Sequence, residues 1–310
     1  MLTATSRIVR AHLASVFIPL VLLGIDASPL RAQGATQSAT ADSSRCDPID
    51  ADRPGIADGS HVIDVGQLQL ETGYLQERHP EGDVRRRLSF VPTLLRIGLA
   101  SRVEARLEGN TFSHERASAA DGSTTARSGV SPLFLGAKIL LSDPEQNGTL
   151  SVATIIRVAP PSGTDEFSTH RVTGDVRVVA NWQFTPTLSL NPNVGYASNE
   201  GSDGTRFGTA LGALTLSWQA TSRWNPFVDV AYASREDAGG SWSMIGDAGV
   251  AYILDCDVQL DFSAGQNLHG VTAAKPFVAA GISVRTDLLR RATHSLDHRH
   301  GDRPAQSARI

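Results

Sequence analysis

Charged residues occupy alternate positions in one otherwise small and apolar segment of the chain, at Glu104, Arg106 and Glu108. Successive side chains of a β-strand point to opposite faces, so a strand here would place all three charges on one face. Carboxylates and guanidinium groups in such a row can neutralise one another as ion pairs, or they can line a narrow polar path that selects solutes. The sequence leaves both alternatives open.

Nine further charged residues lie on the polar face of similarly alternating segments. For each of them a structural ion pair is the simpler alternative to a role in selectivity. The full set of candidates for a polar interior, which includes the first three residues, is Glu71, Arg96, Glu104, Arg106, Glu108, Lys138, Arg157, Asp175, Arg177, Asp229, Asp247 and Asp261.

Recognisable catalytic and cofactor motifs are missing from the sequence. It has no nucleophile elbow, no phosphate-binding glycine loop, no Cys-x-x-Cys and no His-Glu-x-x-His. His79, His114, His170 and His269 each fall near a different polar connection, and the sequence assigns no serine or acid to any of them. We predict no enzyme, metal or cofactor, and we keep a lipid-acting enzyme as the weakest alternative.

The elements that carry these residues are predicted to be β-strands. Over residues 171–184 the even positions are mostly apolar and the odd positions mostly polar, which is the period of a half-buried strand. Similar alternation predicts about twelve strands at 64–79, 84–100, 102–114, 129–142, 149–161, 171–184, 187–198, 206–219, 223–235, 243–254, 257–267 and 276–286. Pro92, Pro132 and Pro192 fall inside these segments and require bulges or shifted boundaries.

The connections between these segments alternate between short and longer or more polar. Short ones lie near residues 101–102, 143–148, 185–186, 221–222 and 255–257, and longer ones near 79–84, 114–128, 161–170, 198–206, 235–242 and 267–275. This alternation is typical of an up-and-down transmembrane barrel with an even strand count and both termini on the periplasmic side.

Aromatic residues cluster at both ends of the predicted strands, as the two interfacial belts of a membrane barrel require. A soluble β-sandwich is the alternative interpretation. Tyr74, Tyr196, Tyr232 and Trp242 lie at long-loop ends, and Trp182, Phe184, Trp218, Trp224 and Tyr252 lie at short-turn ends.

The first 32 residues have the features of a cleavable signal peptide, with Arg7 and Arg10 before a short apolar core at 13–25 and small residues near Ala32. The net charge of −4 carries no basic footprint for nucleic acid. We therefore predict export to the bacterial outer membrane, with membrane lipid and the barrel assembly machinery as partners. The predicted mature chain has a flexible periplasmic lead-in at 33–62, a barrel at 63–286 and a polar, disordered tail at 287–310.

Two cysteines remain after cleavage, Cys46 before the first strand and Cys256 in a short turn. Both fall on the periplasmic side of the predicted topology, where the compartment is oxidising. We predict a disulfide between them.

Several segments, in order, resemble a family of outer-membrane barrels named for the meta-pathway of phenol degradation. They are residues 51–55 (ADRPG), 66–74 (GQLQLETGY), 92–99 (PTLLRIGL) with 101–107 (SRVEARL), 135–138 (LGAK) and 260–265 (LDFSAG). The resemblance spans residues 51 to 285 and implies a pore-like barrel for small organic, including aromatic, solutes. A non-conducting barrel with an ion-paired interior is the alternative function.

Overall fold

The computed structural model describes residues 47–143, 149–201, 203–270 and 275–287. Within these ranges the regular structure is entirely β, and no helix is long and apolar enough to cross a membrane. The predicted signal peptide, Cys46 and the tail from residue 288 lie outside the described residues. The strands are β1 Gln67–Glu81, β2 Val84–Ala100, β3 Val103–Ser118, β4 Thr124–Gly129, β5 Phe134–Ser142, β6 Leu150–Ala159, β7 Thr173–Thr185, β8 Leu188–Glu200, β9 Arg206–Trp218, β10 Trp224–Ala233, β11 Ser243–Asp255, β12 Val258–His269 and β13 Phe277–Asp287.

These strands form one antiparallel sheet that closes on itself, because β1 pairs with both β2 and β13. β4 pairs with the upper part of β3 and β5 with its lower part, so β4 and β5 are two halves of one position in the ring. The barrel therefore has twelve strand positions, and the fold predicted from the alternating pattern is confirmed.

The two ends of the barrel differ in their connections. One end, the turn end, carries the short turns and the residues Gln67 and Asp287, which pair with each other where the barrel closes. The other end, the loop end, carries most of the longer connections. The connection near 79–84, predicted to be longer or more polar, is a two-residue polar turn at Gly82 and Asp83, because β1 and β2 continue past that level; Gly82 has a φ of 56°.

Each of the three problematic prolines lies at an irregularity of the ladder. Pro92 flanks the register shift between β2 and β3, and Pro132 lies in the break between β4 and β5. Pro192 lies where the paired residues of β7 and β8 are interrupted, between Asn193 and Leu190. Since proline has no N–H to donate, these are the places where the sheet tolerates it.

The faces of the barrel are inverted relative to a soluble protein. Outward positions are apolar and exposed, as at Leu135, Ile156 and Val178, whereas charged residues such as Arg96 and Lys138 are fully buried inside. Aromatic side chains flank the apolar band: Trp182, Trp218 and Trp224 are exposed near the turn end, and Tyr74, Tyr196 and Trp242 near the loop end. A sheet that is apolar outside and charged inside requires lipid around it.

Candidate functional site: the filled lumen

Residues 47–66, which we call the lumenal segment, occupy the inside of the barrel. Sequence composition predicts a flexible lead-in here, and for the described part, from residue 47, that prediction is wrong. Ile49, Ile56 and Ile63 are buried, and Ile56 packs with Ala213 and Ala231 of the wall. A polar sequence without periodicity predicts flexibility when its polar groups bind only water. Here they bind side chains of the barrel wall instead.

The lumenal segment has no regular secondary structure, and wall side chains bind its backbone. The amide of Ile56 donates to Asp229 Oδ2 at 2.9 Å, and the amide of Ile63 donates to Glu104 Oε2 at 3.1 Å. Asn193 bonds both the amide and the carbonyl of Asp58, each at 2.9 Å. Irregular backbone is stable at membrane depth only when its polar groups are satisfied in this way.

Asp52 is the main ionic anchor of the lumenal segment. Lys138 Nζ lies 2.9 Å from Asp52 Oδ2, Arg106 Nη1 binds the same oxygen, and Arg96 Nη1 lies 3.8 Å from it. Burial alone would raise the pKa of Asp52, but Arg96, Lys138 and Arg106 outweigh burial and hold that pKa well below its ordinary value of 3.8. Asp52 is therefore the ionised centre of a buried cationic cluster.

Arg53 binds strand β12 of the wall through two parallel bonds to Asp261, at 2.9 Å and 3.3 Å. Its guanidinium lies over Gly281, where a Cβ would come within 2.4 Å of Nη2. Its amide also donates to Glu71 Oε2 at 2.9 Å. Only a position without a side chain leaves room for this arginine against the wall.

Closer to the loop end than Asp52, a second group of ion pairs joins Asp58 to strands β3, β6 and β7. Asp58 lies 3.0 Å from Arg106 and 3.2 Å from Arg177. Arg157 bridges Glu108 at 2.6 Å and Asp175 at 2.9 Å. Each residue of the row Glu104, Arg106 and Glu108 therefore has an ion-pair partner on another strand or on the lumenal segment.

All twelve residues that sequence reasoning placed on the polar face project into the lumen, and ten of them take part in the ion-pair network. Asp229 and Asp247 do not join it; they face each other across β10 and β11. Asp52, Arg53 and Asp58 were missed as interior residues. The signal that could have found Asp52 and Arg53 is the pair of charges inside residues 51–55, a segment otherwise noted only for its resemblance.

Half of the described buried side-chain atoms that lack a hydrogen-bond partner lie on the other half of the wall. Among the described residues, strands β9 to β13 carry five such buried oxygens, on Thr215, Asp229, Ser243, Asp247 and Ser283. Buried polar atoms are normally satisfied by protein, water or ligand. The lumen therefore has an ion-paired half on β1 to β7 and, on β9 to β13, a half with unpartnered oxygens whose described ion pair to the lumenal segment is Arg53–Asp261.

At the loop end, the connection between β6 and β7 folds over the mouth of the barrel. Thr164 N donates to Val130 O at 3.0 Å, and Phe167 and Thr169 are buried. This connection covers the mouth on the side of the break between β4 and β5.

The four candidate histidines do not assemble a catalytic triad within the described residues. His79 Nε2 contacts Glu77 at 2.7 Å, and His269 stacks on Trp242 with ring centroids 3.5 Å apart. His114 Nδ1 lies 2.8 Å from Ser128 Oγ on the outer wall, but no carboxylate contacts either residue. No group of His, Cys, Asp and Glu in this part of the chain is arranged to hold a metal ion.

A closed antiparallel barrel with an apolar belt and a charged interior defines an outer-membrane β-barrel protein. The family model described as the MetA-pathway of phenol degradation matches residues 51–286, and the chain belongs to that family. The family predicted by resemblance is thus confirmed, and the match begins within the lumenal segment.

Solved structures agree with this class. The chain is similar to an outer-membrane channel from Pseudomonas putida F1, with a TM-score of 0.54, 12% identity and coverage of 73% of this chain and 98% of that one. It is more distantly similar to the NanC porin, with a TM-score of 0.47, 11% identity and coverage of 70% and 98%. At these identities the likeness shows the fold, and no curated protein sequence matches the chain.

Proposed function

We propose that the protein is a passive outer-membrane channel for small organic solutes, and that solutes pass along strands β9 to β13, the part of the wall that forms the fewest ion pairs with the lumenal segment. The observation that carries this proposal is the asymmetry of the lumen. On the β1 to β7 half, the described lumenal charges are joined in ion pairs with one another and with Asp52 and Asp58 of the lumenal segment. On the other half, the unpartnered oxygens of Thr215, Asp229 and Asp247 offer hydrogen bonds along one side of the wall.

The family description supports phenol-like aromatics as the solute class. Small aromatic molecules with one hydroxyl need an apolar surface and a few hydrogen-bond acceptors, which is the usual composition of an organic-ligand site. The buried apolar cluster of Ile56, Ala213 and Ala231 lies beside the oxygens of Thr215 and Asp229 on this part of the wall.

The second candidate is a non-conducting barrel, and the ion pairs of Asp52 and Arg53 favour it.

Flux separates the two functions: liposomes with the refolded protein should take up phenol-like aromatics faster than empty vesicles. Asp247→Phe should lower that flux several-fold because it fills the β9 to β13 half of the lumen. Ala248→Phe, which adds the same ring on the outer face of the same strand, should leave it unchanged.

The outcomes are distinct. Absence of flux from barrels whose migration in detergent gels shifts on boiling would establish the non-conducting barrel. Flux that is equal in the Asp247→Phe variant and the parent would contradict the proposed path while leaving a channel in place.

We further propose that the chain is exported, cleaved after Ala32 and inserted with its turn end toward the periplasm, where Cys46 and Cys256 form a disulfide. Ile49 N donates to Cys256 O at 2.7 Å, which brings the start of the lumenal segment to the turn between β11 and β12. The described part of the chain contains no free cysteine, and Cys46 lies outside it. Non-reducing peptide mass mapping of the mature protein should recover a Cys46–Cys256 cross-link, and alkylation of both thiols without prior reduction would contradict it.

A further inference from the structure

Four exposed arginines share the outer wall of the extended β1–β2–β3 hairpins: Arg78, Arg85, Arg87 and Arg116. Arg87 pairs directly with Arg78 of β1 and with Arg116 of β3, so three guanidinium groups stand in one row across adjacent strands. Like charges directly opposite each other destabilise a sheet unless a counter-charge lies between them. We call these four residues the arginine patch.

The described residues provide no counter-charge for the arginine patch. None of its four members forms an ion pair within them, although Arg86 and Arg127 of the same hairpins, which point inward, both bind Glu115 at 2.8 Å and 3.0 Å. The acids closest in sequence on this side, Asp83 and Asp121, lie in the hairpin turns rather than in the row. The inward arginines are paired and the outward ones are not.

On the outer wall, the side chains change row by row from apolar at the aromatic belt to polar at the arginine patch. Tyr74 and Phe112 are exposed at the aromatic belt. The next row toward the loop end holds Gln76, Ser89 and His114, and the row of arginines follows. Arg78 lies four positions after Tyr74, which is about 13 Å along a strand, or about 10 Å of height at the usual barrel tilt.

We propose that the arginine patch binds the phosphate groups of a phosphorylated glycolipid, the lipid A of the outer leaflet. The patch faces outward, so its ligand lies beside the barrel rather than in the lumen. It stands just above the aromatic belt, where lipid headgroups lie, and arginine is the side chain best suited to bidentate binding of phosphate. The proposal rests on outer-membrane placement with the loop end outward and is independent of conduction.

Native mass spectrometry of the full mature protein in detergent, with purified lipid A as the probe, tests this proposal. The triple variant Arg78→Gln/Arg87→Gln/Arg116→Gln should bind lipid A about tenfold more weakly than the parent, a change of about 1.4 kcal/mol. The matched control Arg206→Gln/Arg223→Gln/Arg235→Gln removes three exposed arginines elsewhere and should bind as the parent does. Boiled and unboiled gel samples establish that each variant is folded.

Two further probes identify the ligand. Dephosphorylated lipid A should bind the parent as weakly as phosphorylated lipid A binds the triple variant, and inorganic phosphate should not displace lipid A. Equal binding of lipid A by parent and triple variant, or equal binding of the dephosphorylated lipid, would overturn the proposal. Full displacement by inorganic phosphate would show a simple anion site and also overturn it.

Discussion

At the scale of single residues, Asp52 is the carboxylate by which the lumenal segment joins a buried cluster of three cations. Three cations from strands β2, β3 and β5 converge on its carboxylate, and all three side chains are buried. Removing one member of a buried ionic cluster leaves the others uncompensated, which costs far more than the loss of one surface ion pair.

Asp52→Asn should therefore lower the free energy of unfolding by about 3 kcal/mol, measured by urea titration in lipid vesicles. Because the pKa of Asp52 is lowered in the folded state, its contribution is complete above the ordinary value of 3.8 and is lost only as the pH falls further. Asp64→Asn is the control, since Asp64 is exposed on the same segment. Equal stabilities of the two variants at pH 7 would show that the cations do not need Asp52.

Prediction of single residues from the sequence succeeded wherever the alternation of apolar and polar residues determines which face of a strand a side chain occupies. Glu104, Arg106 and Glu108 could be placed on one polar face because strand geometry leaves a side chain only two directions. It failed for Asp52 and Arg53, which lie in a segment without periodicity. Their partners, Lys138 and Asp261, are distant in the sequence, and no local pattern indicates such contacts.

At the scale of elements, the strands were predicted to within a few residues, and the main departure is the division of one strand. The predicted segment 129–142 begins at Phe134 in the barrel, while residues 124–129 pair separately with the upper part of β3. Pro132 interrupts the ladder between them because it cannot donate a hydrogen bond. The upper part of β3 was missed because residues 115–118 and 124–129 are polar on both faces and lack alternation.

The apolar face of each strand should be sensitive to charge according to depth. Val178 lies between Trp182 of one belt and Val176, which pairs with Tyr196 of the other, so it is near mid-depth. Val178→Arg should cost about 2–4 kcal/mol, and Val172→Arg, outside the strand at the loop end, about 0–1 kcal/mol.

Unfolding titrations in vesicles measure both costs. If Val172→Arg lowers the free energy of unfolding as much as Val178→Arg does, the membrane extends further toward the loop end than the aromatic belts indicate.

At the scale of the whole molecule, the lumen is filled by the chain's own first described residues. Ser60 Oγ lies 2.8 Å from Ser151 Oγ of the wall, so this pair reports the position of the lumenal segment. In a background with Cys46→Ser and Cys256→Ser, the variant Ser60→Cys/Ser151→Cys should form a disulfide on oxidation. Ser60→Cys/Ser263→Cys should not, because Ser263 belongs to the other half of the wall.

The same cross-link distinguishes a fixed path from a moving segment. If solutes pass along β9 to β13 while the segment stays in place, oxidation leaves flux unchanged in the liposome assay. Flux that stops on oxidation and returns on reduction would show that the segment must leave the wall for solutes to pass, contrary to the proposed path.

The lumenal segment also begins and ends at the same end of the barrel. Asp47 and Ile49 lie against Arg285 and Cys256 near the turn end, and Gly66 N bonds Gly98 O at that end before β1 begins. Topologically the segment is a loop inserted through one opening, and the chain does not pass through the ring from one side to the other. A pull on the residues before Asp47 would therefore withdraw a loop, and none of the twelve strands would have to separate to release it.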